Sequence, residues 1–202
     1  MLIKDVFTNI FIGFNLNNSV GNKSYSEKIY FIQKDSIAYT NIVEAKLESK
    51  NVTTEIKEKF FLQGRDIIIS VKKPYKVATY QQIPDKKIVI PNNFIILRGI
   101  NMDHYSYIFV TNYLEKIGIP NFFKETGKTE LKISDIEDIN LPDIPKDRQM
   151  TISPLVQDIN TRSAIYSEIL ENDDEIVKYM LNMVIGDKNE RINWIYWKKY
   201  KK

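Results

Sequence analysis

Cysteine is missing from all 202 residues, which excludes disulfides, thiolate catalysis and cysteine-ligated zinc or iron–sulfur sites. Histidine occurs once, as His104. Its neighbours in MDHYSY offer neither a nucleophile nor a second imidazole, so a turn or helix-cap role is expected for it. The seven glycines stand isolated and complete no nucleotide-binding pattern, so ATP or dinucleotide use is not expected. No run of about 18 apolar residues is present either. The opening MLIKDVFTNIFIGF is broken by Lys4, Asp5 and Asn9, and the expectation is a soluble, cytoplasmic chain that does not engage a membrane.

What is present points to an ordinary folded protein, since 43% of the residues are hydrophobic and the length suffices for one sizeable core with an extension. The net charge of +3 leaves 29 basic residues nearly cancelled by 26 acidic ones, so their distribution carries more information than their sum. Acidic residues gather in Glu130 to Asp147 and in Glu168 to Glu175. Lys72, Lys73, Lys76, Lys86 and Lys87 crowd the middle, and Lys198, Lys199, Lys201 and Lys202 the tail. Such a division suits a basic face for phosphates and an acidic segment for another protein.

Leu2 to Ile12 reads as a short helix or strand, and GFNLNNSVGNKSYSEK after it as a turn-forming loop. KIYFIQKDSIAY fits a strand followed by a turn. The runs Phe60 to Leu62, Asp66 to Val71, Lys76 to Tyr80 and Ile88 to Leu97, punctuated by Gly64, Pro74, Pro84 and Pro91, predict further strands. Tyr105 to Ile117 changes to helical spacing, with Gly118 and Pro120 as its stop. In Leu131 to Gln149, LKISDIEDINLPDIPKDRQ, an apolar face with Ser134 and Asp135 as caps gives one short turn, and Pro142 and Pro145 end it. From Ile152 to Val184 apolar residues recur every three or four positions, which predicts one long amphipathic helix or a pair broken at Asn172 to Asp174. The fold class is therefore α+β: a β-rich domain over residues 1–145, then a helical arm over 146–202.

Neither acidic cluster makes a strong case for chemistry. Asp135, Glu137, Asp138 and Asp143 lack an evident point of convergence, and Glu55-Ile56-Lys57 is too short a match to a nuclease motif. No catalytic residue, metal or cofactor is assigned. Three polar loops make the better case. The first holds Asn15, Asn17, Lys23 and Tyr25, and asparagine can pair bidentately with adenine. The second holds Lys72, Lys73, Tyr75 and Lys76 on a turn bent by Pro74, beyond a rigid strand. The third holds Thr126 and Lys128, with Gly127 allowing close approach to a backbone. Side by side they would make a DNA-reading edge.

The segments LIKDVFTNIFIGF, GRDIIISVKKPYKVATY, NYLEKIG with its Gly-Lys-Thr loop, and LKISDIEDINLPDIPKDRQ, in that order, resemble the specificity subunits of type I restriction-modification systems. The likeness covers one target-recognition domain with its following helix. Lys72 to Tyr75 stand where that family often has glycines, and PDIPKDRQ replaces its usual Pro-Pro-Leu-Glu-Glu-Gln. The resemblance implies a non-catalytic subunit that docks methyltransferase (modification) subunits onto double-stranded DNA. Family members carry two recognition domains and two antiparallel helices, whereas this chain shows one of each and no internal repeat. The expectation is a homodimer through a coiled coil, with Ile152, Leu155, Ile159, Tyr166, Ile169 and Met180 as its contact residues, reading a split palindrome. An inhibitor or orphan remnant that binds such a complex without reading DNA is the alternative.

Overall fold

The computed structural model describes residues 1–15, 27–53 and 55–185. Residues Met1–Arg162 form one compact unit and the chain from Ser163 onward a second. Leu2 to Ile12 supplies both of the elements that its pattern allows, a single turn α1 (Ile3–Val6) and strand β1 (Phe7–Ile12). There follow β2 (Glu27–Phe31), β3 (Ile37–Ala38), β4 (Asn41–Ile42), β5 (Glu48–Val52), β6 (Ile67–Ser70), β7 (Val77–Thr79), β8 (Ile88–Val89) and β9 (Phe94–Ile100). Six strands make one sheet in the order β1-β9-β6-β7-β4-β3, and three make another in the order β5-β2-β8.

The sheet's centre is dry on both sides, which explains why Ile67, Ile68 and Ile69 run without polar alternation. All three are fully buried. Ile67 and Ile69 face Val110, Leu114, Ile119, Leu131 and Ile136 of the helical layer. Ile68 faces the other way, toward Ile32, Ile88, Ile90 and Ile96. Arg98 of β9 pins the approach to β6: its guanidinium pairs with Asp66 (2.6 and 2.8 Å) and donates to the carbonyls of Lys59 and Phe61. Burial raises the Asp66 carboxyl above its ordinary value, against the opposing pull of Arg98 and the Gln63 N–H.

Two expected strands change character. Phe60 to Leu62 is a 3₁₀ turn (Glu58–Phe60) followed by a lone bridge from Phe61 to Val89. Ile88 to Leu97 is cut by the turn at Pro91 into β8 and β9, because proline cannot supply a ladder N–H. The helix expected to stop at Gly118 does not stop. Helix α2 (Tyr107–Tyr113) passes through a π turn (Leu114–Gly118) directly into α3 (Ile119–Thr126). Pro120 sits in the first turn of α3, where a missing N–H costs least. Gly118 packs closely between Tyr113, Leu114 and Ile139, where a Cβ would stand 3.2 Å from the Tyr113 ring.

Helix α4 (Ile133–Glu137) is the short turn expected in LKISDIEDIN, capped by Asp135, whose Oδ2 accepts the Lys132 N–H at 2.9 Å. Helix α5 (Lys146–Ile185) then runs without a break at Asn172 to Asp174. The first compact unit extends past residue 145 to Arg162, and a buried polar seam accounts for this. Gln149, Ser153 and Asn160 recur on one face of α5 and are almost wholly buried. Gln149 donates to the carbonyls of His104 (3.0 Å) and Ile144 (2.7 Å) and accepts the Ser106 N–H (2.9 Å). Ser153 meets the Ser106 hydroxyl, and Asn160 donates to Thr40 and Asn112. Three residues thus fasten the first turns of α5 to the β domain.

Candidate nucleic-acid interface

Ser70, fully buried at the end of β6, organises the turn that follows. Its hydroxyl accepts the Lys76 N–H at 2.8 Å and donates to the Pro74 carbonyl at 3.2 Å. The neighbouring backbone is tied on both flanks: Val71 N–H donates to Asn93 and its carbonyl accepts from Leu131, each at 2.9 Å. Lys34 Nζ closes the assembly by donating to the carbonyls of Lys72 (2.5 Å) and Lys73 (2.9 Å). The 71–76 turn, the 91–93 turn and the loop after α3 are therefore tied to one another through the backbone.

Gly13 brings the first polar loop to the same edge. A Cβ there would stand 2.2 Å from the Pro91 carbonyl oxygen, so only glycine permits this approach of β1 to the 91–93 turn. Phe14 N–H donates to Ile90 (2.8 Å) and Asn92 N–H to Phe14 (2.8 Å), which seats Asn15 beside Asn92. A cleft of about 550 Å³ opens between Asn15, Gln33, Lys34, Glu48, Asn92 and Asn93. A second, of about 370 Å³, shares Lys34, Asn92 and Asn93 and is closed by Val71 and Lys72.

The structure thus brings Asn15, Lys72 and the third loop together on one edge. Asn17, Lys23 and Tyr25 lie outside the described residues. Other expected contacts are spoken for within the fold. Tyr75 does not stand free: its ring stacks on Phe123 at 3.9 Å and its hydroxyl donates to the Thr129 carbonyl at 2.7 Å. Thr126 donates to Phe122 within the last turn of α3. Lys128 pairs with Asp135 at 2.5 Å and Lys72 with Glu130 at 2.6 Å. Burial works to raise the Asp135 carboxyl, but Lys128 and the Lys132 N–H outweigh it and hold it below its ordinary value. Lys76 lies near Glu115, whose buried carboxyl is raised by desolvation and accepts the Val77 N–H. Lys73 is exposed and makes no ion pair among the described residues.

Gly127 ends the helix before the third loop. It closes α3 in the left-handed region (φ 67°), and a Cβ would touch nothing there. Gly127-Lys128-Thr129 follows a helix and has Phe122 in place of the first glycine of a phosphate-binding loop. His104 lies in the expected turn. Among the described residues no three carboxylates or imidazoles gather around a common point, and no helix is long and apolar enough to cross a membrane.

No protein-family model matches the sequence, and no curated protein does. Solved structures do match. A chain of a type I restriction-modification system, solved to explain complex assembly and conformational transition, superposes with a TM-score of 0.58 at 16% identity; the match covers 89% of this chain and 42% of that one. The HsdS subunit from Thermoanaerobacter tengcongensis gives 0.52 at 18% identity, covering 84% and 38%. The type I restriction-modification S subunit from M. genitalium gives 0.51 at 14% identity, covering 98% and 48%. The fold is that of a specificity subunit. This chain spans less than half the length of each of these matched chains.

Lys34, Gln33, Asn92 and Asn93 complete the edge of this specificity-subunit fold and escape a sequence reading. Asn92 and Asn93 sit inside a run that looks like one strand, and Lys34 lies far from the turn it holds. On α5, the apolar residues expected to pair all keep between 45% and 64% of their surface exposed: Ile152, Leu155 and Ile159 in the first unit, Tyr166, Ile169 and Met180 in the second.

Proposed function

We propose that this chain is a half-length specificity subunit without catalysis of its own. It binds double-stranded DNA in the cytoplasm, brings methyltransferase subunits to the site, and pairs with a second copy through α5 to read a split palindrome. The observation that carries this reading is the meeting of Asn15, Gln33, Lys34, Lys72, Asn92 and Asn93 on one edge of a specificity-subunit fold. Amide side chains suit base edges, and the exposed Lys73 suits a phosphate. Asn17, Lys23 and Tyr25, outside the described residues, are proposed as DNA contacts from their residue types alone.

Selection of bound duplexes from a random pool, with the chain alone and again with methyltransferase subunits, tests the reading; a recovered split palindrome is the expected result. Replacing Lys72, Lys73 and Lys76 together by alanine should weaken binding to every sequence and reduce the salt slope by about 1 to 2, because Lys72 already has an acidic partner. Unchanged affinity would exclude this turn from the interface. The pairing of Lys72 with Glu130 and Lys128 with Asp135 favours one alternative, a factor that occupies a restriction-modification complex without reading DNA. Binding to a modification subunit with no salt-dependent binding to any duplex would decide for it.

A further inference from the structure

Glu130 stands directly opposite Lys72 in an isolated antiparallel bridge, beside the point where the Leu131 N–H donates to the Val71 carbonyl at 2.9 Å. Side chains of residues paired in this way leave the backbone on the same face, with Cβ atoms about 5 Å apart. The backbone thus sets up the Lys72–Glu130 ion pair, at 2.6 Å. Lys34, bonded to the carbonyls of Lys72 and Lys73, ties the turn from the other side. With the turn held, rotation of the Lys72 side chain is the direct route away from Glu130.

The two carboxylates paired with lysines here have different duties. Asp135 is buried, and it accepts the Lys132 N–H at 2.9 Å as well as pairing with Lys128. Glu130 makes no side-chain contact among the described residues beyond its pairing with Lys72, and the two side chains stay 67% (Lys72) and 54% (Glu130) exposed. A pair so exposed adds little to stability. Its effect is on what else can reach Lys72. A phosphate drawn to Lys72 has to displace the carboxylate and then lies near a like charge. The ion count changes as well. A lysine that neutralises a phosphate releases a counterion, but the stranded Glu130 takes one up, so the net release is near zero.

We infer that Glu130 is a specificity-determining residue that withholds Lys72 from DNA of the wrong sequence. The inference rests on the DNA-reading function proposed above and adds a means of discrimination at that edge. On an unrelated duplex, exchanging carboxylate for phosphate gains little. On a matching duplex, base contacts from Asn92 and Asn93, which line the same cleft as Lys72, hold the DNA backbone near the turn, and Lys72 then swings to a phosphate. Glu130 raises specificity by disfavouring the wrong partner, without touching a base.

Titration of a random-sequence duplex with the full chain, followed by fluorescence anisotropy between about 50 and 200 mM salt, tests the inference. E130Q should bind this duplex roughly three- to tenfold more tightly at the low-salt end. Its plot of log K against log salt should steepen by about 0.9. E130D keeps the charge and should keep the wild-type slope. The steepening should vanish when Lys72 is also replaced, so that E130Q/K72M matches K72M, because Glu130 acts on the slope through Lys72. Selection from a random pool should give E130Q the wild-type site with lower enrichment. A wild-type slope in E130Q, with DNA binding intact, would overturn the role of Glu130 and leave the DNA-reading proposal standing. Recovery of a different site would do the same, since it would make Glu130 a base contact. Absence of salt-dependent binding to any duplex, in wild type and E130Q alike, would sink both.

Discussion

Replacing Gln149 by leucine isolates what fastens the start of α5 to the rest of the first unit. The side chain is fully buried and makes three hydrogen bonds, two donated to the His104 and Ile144 carbonyls and one accepted from the Ser106 N–H. Leucine keeps the volume approximately but orphans one buried N–H and two carbonyls. An unsatisfied buried donor costs about 1 to 3 kcal/mol, and the carbonyls add to it. Leucine's better transfer into an apolar site returns part of this, so the net loss is about 2 to 4 kcal/mol. For a unit of this size that corresponds to a fall in Tm of roughly 5 to 15 °C. Thermal and urea unfolding by circular dichroism give the number, with S153A, which removes a single hydroxyl, as a milder companion. If Q149L stays within about 0.5 kcal/mol of wild type, the polar seam does not hold the helix and the unit boundary at Arg162 has another cause.

Gly13→Ala places a Cβ against the Pro91 and Ile90 carbonyl oxygens, 2.2 and 2.4 Å away; the strand ends must part, at a cost of about 1 to 3 kcal/mol. A lowered urea midpoint with unchanged m-value is expected, and a wild-type midpoint would show that the backbone gives way freely. Asp135→Asn should cost about 1 kcal/mol at neutral pH through the lost charge opposite Lys128, since the amide oxygen can still accept the Lys132 N–H. Because the folded-state carboxyl lies below its ordinary 3.8, its stabilisation is present above that pH and lost as pH falls through the folded value. The gap between wild type and variant, measured by urea titration, should therefore close below about pH 4 and stay constant above pH 6; a gap that persists in acid would assign it to packing.

Much of the scaffold was legible because burial writes itself into the pattern. Three consecutive isoleucines at 67–69 announce a strand with no wet face, and LKISDIEDINLPDIP announces a short turn and a stop. Strand β5 (ESKNV) was not legible, since its side chains are mostly exposed and its order comes from pairing with β2. Helices α2 and α3 join through Gly118 because that glycine serves close packing against Ile139, a property that its sequence neighbours do not express. At the site, composition marked the turn at Lys72 to Lys76 and the loop at Asn15. It could not mark Lys34 as the clasp, nor show that Tyr75 stacks on Phe123, since both facts depend on residues more than thirty positions away.

The charges at the proposed edge bear on how two copies would act. Among the described residues of this edge Lys72 and Lys128 have carboxylate partners, whereas Lys73 and Lys34, whose bonds to carbonyls leave its charge in place, make no ion pair. Under the proposed function, few unpaired cations at a slope of about −0.9 per phosphate neutralised would give a weak non-specific pull and a shallow salt dependence. Discrimination would then fall to Asn15, Asn92 and Asn93, whose amides can match base edges but lend little affinity to the wrong sequence, the Gln33 amide already donating to Glu48. Under the proposed function, a single unit built this way would be selective and weak. Linking two of them through α5 raises the effective concentration of the second half-site encounter, which multiplies affinity without adding a contact. Weak general attraction and a pairing helix therefore belong together: the first keeps one copy from dwelling on unrelated DNA, and the second lets two copies hold a site that presents both halves at the right spacing.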